Sequence, residues 1–130
     1  KEEAKQFTGR SDVKAAAQTL LNCGPEVVVI KMGADGSYVS NKNKNTFVPV
    51  FPVENVLDPT GAGDSFAGGF MAYLSQTNNP DFVAAAIMGS AMASFCVEGF
   101  GLDALLKVTP HRLEERIKAV ESSLFEKPIL

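Results

Sequence analysis

Between residues 26 and 32 the chain reads EVVVIKM, an unbroken run dominated by β-branched residues, whereas most later apolar positions recur at helical spacing. A continuous run of this kind predicts a buried parallel strand covered on both faces. Before it, residues 2–7 read as a helical turn ending at Gly9. A second helix runs to about Cys23, with Ser11 or Asp12 as its cap and Gly24 closing it. After the strand, GADG at 33–36 turns the chain, and SYVSN and TFVPV around the polar KNKN predict a hairpin. Pro49, Pro52 and Pro59 keep 49–59 extended or turning. From Gly63 to about Ser75, Phe66, Phe70, Tyr73 and Leu74 share one helix face. Asn79 and Pro80 suit the N-cap and first position of a helix over 82–97, apolar nearly all round and therefore buried. Thr109-Pro110 opens a last helix with Leu113, Ile117, Val120 and Leu124 on one face and Glu114, Glu115 and Arg116 on the wet one. The order predicts part of a layered α/β fold, and a lone parallel strand implies sheet neighbours that the chain does not supply.

Composition narrows the function classes. The 130 residues fit one domain at most, 45% are apolar and 21% charged, as in a soluble globular protein. A net charge of −3 and no basic stripe argue against a nucleic-acid surface; NKNKN at 41–45 reads as a polar hairpin tip. Cys23 and Cys96 are the only cysteines, have no CxxC spacing and read as core thiols of a cytoplasmic protein. His111 is the single histidine and is expected to face solvent, so a structural zinc site lacks ligands. No stretch is apolar and long enough to cross a bilayer, and the charged start KEEAKQF is no signal peptide. Lys1 is not an initiator Met and the first residues resemble the middle of a helix, so the chain is expected to be a piece of something longer.

The chemistry concentrates in DPTGAGDSF, residues 58–66. Gly61 and Gly63 permit backbone conformations and close approach that a Cβ forbids. A helix that starts there leaves its first amides without internal partners, and those amides with the helix dipole make an anion site. Asp64 lies in the first turn, where the dipole favours a carboxylate able to take a proton from a substrate hydroxyl. The plainer alternative is a loop with a helix cap, because an acidic residue at that place is favourable by about 0.3–1 kcal/mol without any function. Two other phosphate loops are excluded by spacing. A Walker A loop needs a lysine, and none occurs between 45 and 106; a GxGxxG begun at Gly61 needs glycine where Phe66 stands. Gly68 and Gly69 inside the helix each cost about 1 kcal/mol relative to Ala, which close packing against a strand or a nucleotide would explain.

The longer string VLDPTGAGDSFAGGFMAYL (56–74) resembles the C-terminal signature of the PfkB, or ribokinase-like, carbohydrate kinases: Asp, Thr or Pro, Thr or Asn, then Gly-Ala-Gly-Asp, any residue, Phe. VVVIKMGADGSYV (27–39) is similar to that family's strand and Gly-x-x-Gly turn upstream, and KEEAKQFTG (1–9) to the stretch after the Asn of its Asn-x-x-Glu motif. The resemblance implies a ribokinase-like layered α/β/α sandwich, of which residues 1–130 are the C-terminal nucleotide-binding and catalytic portion, with the N-terminal half and its lid absent.

It further implies an ATP-dependent kinase for a hydroxyl group of a sugar or nucleoside, using Mg²⁺ and, as in many members, K⁺. Asp64 matches the catalytic base, and Gly61, Ala62 and Gly63 the anion hole. Gly33 and Gly36 match a turn lining the ATP site, and Asp58 and Thr60 the start of the signature near a monovalent-cation site. Gly99 and Gly101, in SFCVEGFG, match a segment closing the nucleotide and cation sites, and Glu3 matches a residue holding Mg²⁺ mostly through water. The expected partners are a small-molecule substrate and, for the full-length protein, a second copy in a homodimer. Two other readings remain: a non-catalytic nucleotide-binding module that keeps the cradle, and an interaction domain whose glycine loop is only a cap.

Overall fold

A computed structural model describes residues 1–126, with side chains through Leu124. Two units emerge, Lys1–Val48 and the part from Pro49 onward. In the first, helix α1 (Glu2–Thr8) ends on Gly9 in the left-handed conformation. Helix α2 (Val13–Leu21) begins at Asp12, whose carboxylate accepts from Ala15 N–H at 2.9 Å. Strands β1 (Val27–Lys31), β2 (Ser37–Asn41) and β3 (Asn45–Val48) form an antiparallel sheet in that order. Val29 pairs with Val39, and Tyr38 with Phe47. The central β2 is buried from Ser37 to Ser40. Ala16 and Ala17 of α2 close over Val28, Ile30 and Tyr38 to make this unit's core.

The direction and covering of β1 differ from the expectation of a parallel strand buried on both faces. Only five residues separate β1 from β2, enough to reverse the chain but not for the crossover that a parallel partner requires. Burial along β1 alternates, with Val28 and Ile30 inside and Val27 and Val29 half exposed. The KNKN tip is a turn as expected, with Asn41 Oδ1 accepting from Asn43 N–H and Lys44 N–H. Cys23 is exposed rather than in a core, because the helix ends before it and the chain turns outward there.

The second unit is helical. Helix α3 (Ala62–Ser75) packs on α4 (Phe82–Cys96), and α5 (Pro110–Glu126) packs on α4. The N-cap of α4 lies two residues later than Asn79-Pro80 suggested. Asp81 is its N-cap, accepting from Val83 N–H at 2.9 Å and Ala84 N–H at 3.1 Å. A carboxylate that reaches two orphan amides outweighs the proline preference. The α3–α4 contact is made backbone to backbone. A Cβ on Gly69 would stand 3.0 Å from Gly89 Cα, and one on Gly89 would stand 2.7 Å from the Phe66 carbonyl oxygen. The cost of Gly69 is therefore offset by helix–helix packing rather than by a strand or nucleotide, while Gly68 meets nothing among the described residues.

Arg116 is the clearest departure from the predicted wet face of the last helix. Its guanidinium lies over the rings of Phe95 (3.7 Å) and Phe51 (4.5 Å), donates to Ser94 Oγ at 2.9 Å and pairs with Glu98. A planar cation can stack on apolar rings while its edge is satisfied by polar groups, so it is drawn inward with only 13% of its side chain exposed. Glu114 and Glu115 are exposed as expected, and His111 faces solvent beside Glu115 at 3.3 Å.

Candidate functional site

The loop that ends at α3 is shaped by its own first residues. Asp58 accepts from Thr60 N–H at 2.9 Å, and hydrogen bonds from Thr60 hold the Asp58 carboxyl below the usual carboxylate range. Ala62 N–H donates to the Pro59 carbonyl at 3.2 Å. Gly61, the N-cap of α3, has φ +85°, a conformation that an L side chain would strain, and its carbonyl accepts the Ser65 N–H at 2.9 Å. Unlike α2 and α4, α3 has no side-chain cap. Asp64 is exposed and sits in the first turn, directly after Gly63.

The C-terminal end of α4 underlies this loop. Leu57 N–H and Asp58 N–H both donate to the Val97 carbonyl, at 2.8 and 3.3 Å, and Cys96 Sγ donates to the Thr60 carbonyl at 3.5 Å. Cys96 is 3% exposed, and a Cβ on Gly61 would lie 3.5 Å from its sulfur. Just beyond, Gly99 is buried against Ala104, where a Cβ would come within 2.9 Å of that side chain, and Gly101 turns at φ +55°. Asp58, Thr60, Gly61, Ala62, Gly63 and Asp64 thus form one continuous loop and helix start, with Gly99 and Gly101 on the segment just past its support.

Glu3, Gly33 and Gly36 belong to the other unit. Glu3 is exposed in the first turn of α1. Gly33 and Gly36 frame the β1–β2 turn at φ +59° and +92°, and Met32 N–H donates across it to the Gly36 carbonyl at 2.8 Å. Next to Gly36, the Ser37 hydroxyl is buried with no hydrogen-bond partner among the described residues. No group of three or more His, Cys, Asp or Glu side chains able to hold a metal gathers among the described residues.

Comparison with known proteins decides the family. The profile described as pfkB family carbohydrate kinase matches residues 1–108. The chain belongs to the pfkB family. It is 45% identical over 76 residues to the cytidine kinase of Thermococcus kodakarensis, covering 57% of this chain and 27% of that protein. It is 35% identical over 118 residues to the ribokinase of Haemophilus influenzae, covering 86% of this chain and 37% of that one. Among solved structures it resembles the fructokinase of Vibrio cholerae in its fructose, ADP and calcium ion bound form. That likeness has a TM-score of 0.76 and 26% identity, and covers 89% of this chain and 38% of that chain. The described elements are a part of the ribokinase-like fold, and the pfkB chain spans about a quarter to two fifths of the length of these relatives. Among the described residues no helix is long and apolar enough to cross a membrane.

In this pfkB chain the sequence reading did not anticipate the support beneath the signature. The Val97 carbonyl carries no residue-type signal at all. Cys96 reads as an ordinary buried thiol, and only its place at the end of a fully apolar helix, just ahead of EGFG, hints at contact with a neighbouring loop.

Proposed function

We propose that the chain is the C-terminal nucleotide-binding and catalytic part of a kinase that transfers the γ-phosphoryl group of ATP to a hydroxyl group of a sugar or nucleoside. The observation that carries this reading is the start of α3: a left-handed glycine with no side-chain cap, immediately ahead of a first-turn aspartate, in a pfkB family chain. A helix start without a side-chain cap fits a phosphate, whose oxygens can compete for amide hydrogens of the kind that α2 and α4 give to Asp12 and Asp81.

In this reading Asp64 takes the proton of the acceptor hydroxyl as its oxygen bonds to the γ-phosphorus, and ADP leaves as the bond to its terminal oxygen breaks. The Gly61–Gly63 backbone amides hold the oxygens of the migrating group, where charge accumulates. The Ala62 amide is engaged by Pro59 at 3.2 Å, a long bond with which a phosphate oxygen competes. Gly33 and Gly36 line the nucleotide, and the neighbouring Ser37 hydroxyl gains a partner from a bound ligand or water there. Gly99, Gly101 and Thr60 border the nucleotide and K⁺ side. Glu3 would help to hold Mg²⁺, which would supply charge neutralisation to the ATP phosphates, and no step is assigned to it.

Asp64→Asn in the full-length protein tests the reading. Turnover against a panel of sugars and nucleosides, followed as ADP release, falls by about 10²–10⁴-fold, the usual contribution of a general base. Affinity for ATP stays as it was. A variant that turns over like the wild type removes Asp64 as the base, and a wild type that binds ATP without turning over any acceptor favours the non-catalytic module.

A further inference from the structure

The loop assigned as a phosphate cradle is not self-supporting, and one side chain joins it to the helix beneath. Cys96 Sγ lies 3.5 Å from the Thr60 carbonyl and is 3% exposed. The peptide carrying that carbonyl leads straight into Gly61, whose left-handed φ sets the direction of the following amides. On the far side of the loop, the Val97 carbonyl takes the Leu57 and Asp58 N–H groups. Thus the final residue of α4 and the one after it hold both ends of the segment 57–60, one by backbone and one by side chain. A Cβ added at Gly61 would meet the sulfur at ordinary contact distance, so the thiol lies next to the turn.

We propose that Cys96 is a positioning residue for phosphoryl transfer: its thiol fixes the Thr60–Gly61 peptide and with it the direction of the amides that meet the phosphate. Its contribution to turnover rests on the kinase reading; its contribution to loop order does not. Alanine removes the donor and most of the filling volume, whereas serine keeps a donor of nearly the same shape. Cys23, exposed and remote in sequence from the loop, serves as the control.

The test uses the full-length protein with Cys96→Ala, Cys96→Ser and Cys23→Ala. Hydrogen exchange is read on the peptide covering 57–64 and compared with peptides from the interior of α4. Cys96→Ala should speed exchange over 57–64 by about two- to fivefold, the size expected from losing one weak S–H···O hydrogen bond, and leave the α4 interior unchanged. Cys96→Ser should restore the wild-type rate, and Cys23→Ala should not alter it. On whichever acceptor the wild type phosphorylates, Cys96→Ala should lower kcat by a similar factor with KM unchanged. Unchanged exchange over 57–64 in Cys96→Ala overturns the proposal whether or not the protein is a kinase, and so does an acceleration spread equally over α4, which marks a general loss of packing. An altered loop with no acceptor phosphorylated by the wild type overturns the kinase reading and leaves the loop role standing.

Discussion

Tyr38 shows how a single residue ties its unit to solution conditions. Its ring packs against Phe47 at 4.8 Å between centroids and is 3% exposed. Burial, and next the charge of Asp12, push its phenol above the ordinary value of 10.0. A group whose pKa is raised in the folded state supports folding below its unfolded pKa, and that support is lost as pH rises through the folded value. Stability measured by denaturant should therefore decline once pH exceeds about 10, and Tyr38→Phe should flatten that decline. A wild type and variant with the same alkaline slope would assign the loss to other groups. At this scale the sequence was most informative where the backbone itself demanded a residue type. Gly61 at φ +85° and Gly36 at φ +92° could be read from glycine alone. Arg116 could not, because Phe51, Phe95, Ser94 and Glu98 come from separate segments and no periodicity brings them together.

Among the elements, α3 and α4 have the firmest relation. A Cβ at Gly89 would stand 2.7 Å from the Phe66 carbonyl oxygen and 3.0 Å from its ring, and the carbonyl, being backbone, cannot turn aside. Gly89→Ala should cost about 1–3 kcal/mol, the usual range for overpacking, read as a lowered denaturant midpoint with unchanged m. Within the proposed function, a shift of α3, which carries both Asp64 and Phe66, should also lower turnover of the full-length protein. Stability equal to wild type would show that the two helices separate more easily than their contact implies. The helices were legible because their apolar faces repeat at helical spacing, and the β2–β3 hairpin because a polar tip separates SYVSN from TFVPV. The direction of β1 was not, since a β-branched run reports burial and says nothing of which way its neighbour runs. The length of the GADG turn, too short for a crossover, was the signal that settles it.

For the whole molecule, the question is what residues 1–130 can do by themselves. They contain the signature loop and its aspartate, yet span 27% of the Thermococcus cytidine kinase and 37% of the Haemophilus ribokinase. Within the proposed function, recognition of the acceptor falls to the remainder of such an enzyme. Purified residues 1–130 should show no sugar- or nucleoside-dependent ATP turnover, while the full-length protein does; measurable turnover by 1–130 would place acceptor recognition within this portion. The family was legible because DPTGAGDSF matches its signature in nine consecutive positions, the stretch that the proposed function assigns to an anion site and a base. The acceptor was not, because no residue string in this portion was tied to a particular sugar or base.

The touching backbones of α3 and α4 also bear on motion. Side chains can swivel to let two helices slide, but main chain set against main chain has no such cushion. The pair is therefore expected to travel as a single block, and under the proposed function any opening or closing would hinge somewhere other than at this seam.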